Sequence, residues 1–482
     1  MNKRSPKVNG EIKAGWLYMS LLGILIIAVF SIYYLGWTSL FIALFFILIA
    51  ASIVDNRYIL PILIALVVLL PKFSLLQVPD TYISIRIEDV YVLLISMGVI
   101  AHMLISKKAF KLPKLALPIA IFIIVTFISL MAGFYQGTIS SVLLGWLFFL
   151  RRIEYFILFA IAYWTFDQGN MPTIRNVLLI TVFATAIVAI LQLFGIVGAY
   201  SAGSYVQNSE ISRVFSVFNG PYEYSTYLAM MFPIFLAIYL KKYSAINYLI
   251  MIIMLYMVML TASRTAIFSV FAAGMAFSFI EKGRKGILPI MIAITIVAFF
   301  LMPDLTRGRF IDLPKEGNVP MVMAISADPN NVSSHSMNPE LSETEQQNVD
   351  MSLIIRYIRW SVVYRSFLEH PLFGLGPSAF GEAVDGNYIR ILGENGIFGL
   401  LAFAWIMGGM LSIFIGNYRK NYDNRALNEF SLFMLMSLII LLMNAVFHDA
   451  FEASKIAMLF WALTGILFKI SASNEQVIQH GT

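Results

Sequence analysis

The chain reads as an all-α protein, a polytopic transmembrane helical bundle of about 12–14 spans with one large extracytoplasmic loop that carries an amphipathic helix. Three observations predict this. Hydrophobic residues fill 60% of the 482 positions and charged residues only 12%, with a mean hydropathy of +0.82, the composition of membrane-embedded chains. Apolar runs near the roughly 20 residues needed to cross hydrocarbon recur along the sequence. The cations are also sorted. With alternate loops assigned to opposite sides, 13 of 16 lysines fall on one side and 11 of 17 arginines on the other.

Candidate spans are 16–35, 37–54, 58–71, 88–106, 115–133, 147–166, 173–197, 222–240, 244–262, 264–281, 286–302, 389–416, 427–447 and 454–470. The lysine-rich loops fix the cytoplasmic side, since positive loops stay inside. Both termini are then cytoplasmic. The first apolar run is too long for a signal-peptide core and has no small-residue cleavage site, so it is expected to remain as a helix. Three regions follow: N-terminal transmembrane helices (1–302), the extracytoplasmic loop (303–388) and C-terminal transmembrane helices with a cytoplasmic tail (389–482). The centre of the loop is polar and acidic and reads as flexible. Its second half has helical apolar spacing over about 352–370 (Leu353, Ile354, Tyr357, Ile358, Val362, Leu368), which predicts a surface helix ended by Pro371. The glycine-rich turn FGLGPSAFG follows.

Composition also excludes chemistry. The net charge of +6 is mostly cytoplasmic lysine and arginine, so it argues for topology and against nucleic acid. Without cysteine there are no disulfides, thiolates or cysteine-based metal sites. The arginines opposite the lysines need another cause than topology. Arginine holds phosphate or carboxylate through a bidentate fork that lysine lacks, so that face reads as built to hold an anion.

Three charged places interrupt apolar sequence. In 142–166 the charges are Arg151, Arg152 and Glu154; such groups mark function or snorkel to the interface. Arg264 is the only charge in roughly 37 residues, about 55 Å of helix. The TASRTA stretch must therefore be a tight turn, where Ser263, Thr265 and a helix N-terminus could assist Arg264 with an anion, unless Arg264 is an ordinary exposed turn residue. Arg356, Arg359 and Arg365 lie on the expected surface helix, as ligands or as a basic face toward lipid head groups.

The block RYIRWSVVYRSFLEHPLFGLGPSAFG, followed by DGNYIRILGENGIFGLLAF, resembles the signature of the O-antigen ligase and O-antigen polymerase superfamily of bacterial envelope glycosyltransferases. The matching positions are Arg356, Trp360, His370, Pro371, Gly374, Gly376, Asp385, Gly386, Gly396 and Gly399. The ASRTA turn, the RRIEY segment, RIED (Arg86 to Asp89) and RVFSVFNGPYEYSTYLAMMFP, with Arg213 and Asn219, are similar too. The resemblance implies a metal-independent, inverting membrane glycosyltransferase without a cofactor. Its donor would be a polyprenyl-pyrophosphate-linked oligosaccharide taken from the lipid bilayer, and its active site extracytoplasmic. It also implies a chain-length regulator and a flippase of the same polysaccharide pathway as partners.

Arg264 and Arg356 are the implied catalytic cations. Asp385 stands where ligases of the superfamily place a histidine, a substitution that fits the polymerase branch. It is expected to act as base for the acceptor hydroxyl or to cap the next helix. Arg151, Arg152, Glu154, Arg213, Arg359, His370 and His448 are the expected ligands of pyrophosphate or glycan. For His370 the alternative is closing the surface helix. For His448, with Asp449 and Glu452 beside it, the alternative is a wet loop. The leading reading is polymerisation of repeat units into a surface polysaccharide, such as an exopolysaccharide of the cell envelope. Ligation to a lipid or protein acceptor is second. Anion transport comes last, because neither repeated halves nor charged pairs at mid-membrane are visible.

Overall fold

The computed structural model describes residues 59–70, 74–77, 84–105, 112–196, 206–207, 210–211, 213–239, 245–280, 287–301, 351–381, 384–419 and 425–480. The expected spans 16–35 and 37–54 and the polar centre of the large loop lie outside them.

The other expected spans are helices. α1 is Ile59–Leu69, α2 Ile87–Ile105, α3 Ala116–Gln136, α4 Val142–Thr165 and α5 Met171–Leu193. α6 is Pro221–Ile234, continued by a π turn over Phe235–Tyr239 after the internal Pro233. α7 is Ala245–Leu260, α8 Arg264–Ile280 and α9 Ile287–Phe300. The loop helix is α10, Met351–Glu369, and the C-terminal helices are α11, Asn387–Arg419, α12, Arg425–Asn444, and α13, Ser454–His480. Two short antiparallel ribbons complete the described residues: β1 (Ser74–Gln77) with β2 (Ser84–Arg86), and β3 (Val206–Gln207) with β4 (Glu210–Ile211). The architecture is all-α.

Five described helical segments are long and apolar enough to cross a membrane, in α3, α5 (with the turn before it), α11, α12 and α13. They divide by burial. The apolar windows of α12 and α13 are 78% and 83% buried, those of the other three 39%. A helix apolar all round belongs inside the bundle, and one covered on a single side leaves the other for lipid. α13 packs most closely on α4, α12 on α6 and α8, and α11 on α3. Gly465 explains the first approach, because a Cβ there would collide with the Phe159 carbonyl.

The feature that positions the site is a break in α11. Gly396 adopts φ 64° and ψ −165°, a left-handed conformation that favours glycine. The break frees backbone groups that a helix would bond, and the glycine-rich turn takes them up. Ile397 N–H donates to the Pro371 carbonyl at 2.9 Å, while Leu375 and Gly376 N–H donate to Gly393 and Glu394, each at 2.9 Å. Ser129, in the second half of α3, and Thr138, just past its end, donate to the Phe373 and Leu375 carbonyls from the other side. The turn and the broken helix are therefore one unit, and Glu394 and Asn395 sit fully buried at its centre.

α10 is amphipathic, though with its faces arranged differently from the sequence reading. Val363 is buried against Phe380 and Val384, and Arg356 and Trp360 turn inward with it. Tyr357 and Leu368, counted in the expected apolar stripe, remain exposed. Contact with the glycine-rich turn and α11 selects the inward face, a constraint the spacing within α10 does not contain.

Candidate active site

Two polar assemblies meet at the turn 445–453 between α12 and α13. The first is built around Tyr222, on the first turn of α6. The Arg213 guanidinium lies 4.3 Å from its ring centre and that of Arg356 lies 5.5 Å away. The His448 ring stacks on it at 4.5 Å. Electron-rich aromatic faces attract cations, so one ring brings together arginines from the segment before α6 and from α10.

The two arginines differ in what occupies them. Arg213 is buried and donates to the Thr261 carbonyl at 2.7 Å and to the Ala262 carbonyl at 3.4 Å. It thereby holds the TASRTA turn, where Ala262 adopts φ 50°. Arg356 donates from Nε to Asp385 Oδ2 at 3.2 Å, which leaves its two terminal nitrogens without a hydrogen bond among the described residues. Asp385 is further fixed through its backbone, whose carbonyl accepts from Trp360 Nε1 at 2.7 Å. Its carboxylate faces Arg356 instead of capping α11.

Arg264 begins α8 with its side chain exposed. Beside it, the Thr265 hydroxyl lies 2.9 Å from His448 Nε2 and 3.3 Å from the Ser263 hydroxyl. Burial, with Arg356 and Arg213 nearby, pushes His448 down to about 3, so its ring is neutral at physiological pH. Arg359, half-buried on α10, has its Nε enclosed without a hydrogen-bond partner among the described residues. His370 follows the end of α10, with backbone bonds to Ser366 and Gly374. Among the described residues, no ring bond ties it to the helix's last carbonyls or to the arginines.

The second assembly is a dense ion-pair network. Arg152, buried in α4, pairs with Glu394, with Glu452 Oε1 at 2.7 Å, and with Asn395 Oδ1 at 3.2 Å. Arg390 pairs with Asp449 Oδ2 at 2.7 Å and donates to the Val384 and Gly381 carbonyls. Arg151 reaches Asp89 Oδ2 at 3.2 Å, which also accepts from Arg86 N–H at 2.9 Å. The charged side chains of this network other than Glu394 line a cavity of about 670 Å3 with Glu154 and Glu223. α4 starts at Val142, five positions before the expected span, with Ser141 as its N-cap. The earlier start sets Arg151 and Arg152 well inside the helix, where Arg152 meets carboxylates from α11 and the 445–453 turn.

The structure therefore gathers Arg213, Arg356, Asp385 and His448 on one side and Arg151, Arg152 and Glu154 on the other. Sequence reasoning missed Tyr222, Arg390, Glu394 and Asn395. Glu394 was detectable as a charge inside the apolar run ILGENGIFGLL, four positions after Arg390. Tyr222 carried no signal, because an aromatic residue among many is unremarked until cations are seen above it. Buried Lys455 was missed too; it donates to the carbonyls of Val68, Leu70 and Val217 at 3.0, 2.6 and 2.9 Å.

Among curated proteins none matches the chain. Residues 249–404, from α7 through the glycine-rich turn into the second half of α11, match the family model described as O-antigen ligase. That stretch holds Arg264, Arg356, Asp385 and Glu394, and the match over it supports the resemblance to the O-antigen ligase and polymerase superfamily.

Proposed function

We propose that the protein polymerises polyprenyl-pyrophosphate-linked repeat units into a surface polysaccharide at the outer face of the cytoplasmic membrane. The observation that carries this reading is Arg356, held by Nε on Asp385 beside the Tyr222 ring, with no hydrogen bond to its terminal nitrogens among the described residues. A guanidinium in that state offers a fork to a diphosphate without giving up the carboxylate. Arg264 and Arg359 supply further positive charge from the start of α8 and from α10.

In the proposed step, Asp385 accepts the proton of an acceptor hydroxyl. The freed oxygen attacks the anomeric carbon from the face opposite the leaving group, and the bond to the pyrophosphate oxygen breaks with inversion. The polyprenyl pyrophosphate leaves with one more negative charge, which the arginines stabilise. The proton remains on Asp385. His448, neutral and stacked, is a poor partner for that charge; its part is to hold Tyr222 and Thr265 in place.

The printed description of the matched family favours a second reading, ligation of a finished glycan to another acceptor. One assay separates them. Purified protein with a chelator and a lipid-pyrophosphate-linked oligosaccharide as sole substrate should give a ladder of unit multiples, and the ladder should disappear in Arg264→Lys and Arg356→Lys. Transfer only after a separate lipid acceptor is added would favour the ligase, and no transfer at all would sink both.

A further inference from the structure

The cavity of about 670 Å3 between α2 and α4 is not used by the proposed pyrophosphate site, and its volume lies within the roughly 300–1,000 Å3 of ligand pockets. It is separated from that site by a wall one residue thick in three places. Tyr222 and His448 face the cationic side, while their chain neighbours Glu223 and Asp449 line the cavity. Asp385 pairs with Arg356, while the next N–H, of Gly386, donates to Asp449 Oδ1 at 3.1 Å.

The charge of the cavity differs from that of its neighbour. Arg86, Arg151, Arg152 and Arg390 line it against Asp89, Glu154, Glu223, Asp449 and Glu452. Four cations facing five anions do not attract a diphosphate. Paired carboxylates and guanidinium groups do suit hydroxyls, which can donate to one and accept from the other. Tyr155 and Phe148 add apolar surface for the C–H faces of a sugar ring.

We propose that this chamber holds the glycan of the acceptor, a neutral, hydroxyl-rich oligosaccharide, whose attacking end extends past the edge of the wall to Asp385. The assignment rests on the transfer reading for the word acceptor, though not for the binding itself. Asp449 supports it. Burial, with Glu452 and Asp385 adding to it, pushes its carboxyl up to about 7 against the pull of Arg390. Near neutrality such a group both donates to and accepts from a sugar hydroxyl.

The test uses the full-length chain in lipid nanodiscs with Val90→Cys as its only cysteine, since the native sequence has none. Val90 lines the chamber, and its reaction with a maleimide reports occupancy without any need for turnover. The probe is the repeat-unit oligosaccharide freed from its lipid pyrophosphate by mild acid. It should slow labelling saturably, while farnesyl pyrophosphate should not. Adding Glu223→Gln should raise the half-protecting concentration about tenfold, the scale of one lost charged hydrogen bond. Arg356→Lys, across the wall, should leave protection unchanged and so controls for a general loss of fold. An oligosaccharide without effect, or farnesyl pyrophosphate protecting equally well, overturns the chamber. Protection without a ladder in the transfer assay keeps the chamber and removes the polymerase, and a ladder without protection does the reverse.

Discussion

The two sides of the 445–453 turn use the same residue type in opposite ways. In the chamber, Arg152 and Arg390 are each engaged by more than one carboxylate, so their charge is spent within the protein. Beside Tyr222, Arg356 has one carboxylate at 3.2 Å and, among the described residues, no hydrogen bond to its two terminal nitrogens. Arginine content alone thus does not mark an anion site. What matters is how many acceptors each guanidinium already has.

That contrast predicts different failures. Removing a paired charge should damage the fold, because the partner is left buried and uncompensated. Arg152→Leu should cost about 3–5 kcal/mol, seen as aggregation or a lowered Tm in detergent, with Glu394→Gln milder. On the other side the fold should survive and turnover should fall. Asp385→Asn should lower kcat by about 10²–10⁴ if the carboxylate is the base, at an unchanged Tm. Arg356→Lys should lose about 10²–10³ in rate, because a point charge replaces the fork. Tyr222→Phe keeps the ring and should change kcat/KM little, whereas Tyr222→Ala should lose about 0.5–2 kcal/mol of cation attraction. An Arg356→Lys enzyme with full activity and a lowered Tm would erase the distinction between the sides.

The smallest effect is a pH slope. Asp449 has its folded pKa raised to about 7, above the ordinary carboxylate range of the unfolded chain. A group shifted in that direction supports the fold at low pH, and the support is lost as pH rises from the carboxylate range through about 7. Asp449→Asn should flatten that part of the stability–pH curve, whatever it does to absolute stability. An unchanged slope would assign the titration to another group.

Much of the fold was legible in the sequence, because apolar run length and charge placement are local signals. The bounds of α2, α7, α8 and α9 fall within two residues of the expected spans. The site was legible only in part. Arg356 and Asp385 could be named from the order of residues along one segment. Their pairing through Tyr222, which lies more than a hundred positions earlier, could not. Arg152 looked like a ligand because the partners that occupy it, Glu394 on α11 and Glu452 in the 445–453 turn, lie far along the chain. The inward face of α10 was likewise hidden, since it is chosen by the glycine-rich turn and not by the helix's own spacing.

The most direct test of the account is equilibrium binding of farnesyl pyrophosphate to the nanodisc-embedded protein at fixed ionic strength, comparing wild type, Arg356→Lys and Glu223→Gln. The account predicts that Kd rises at least about tenfold in Arg356→Lys and is unchanged in Glu223→Gln. Equal weakening in both variants, or weakening in Glu223→Gln alone, would contradict a diphosphate site on the Tyr222 side.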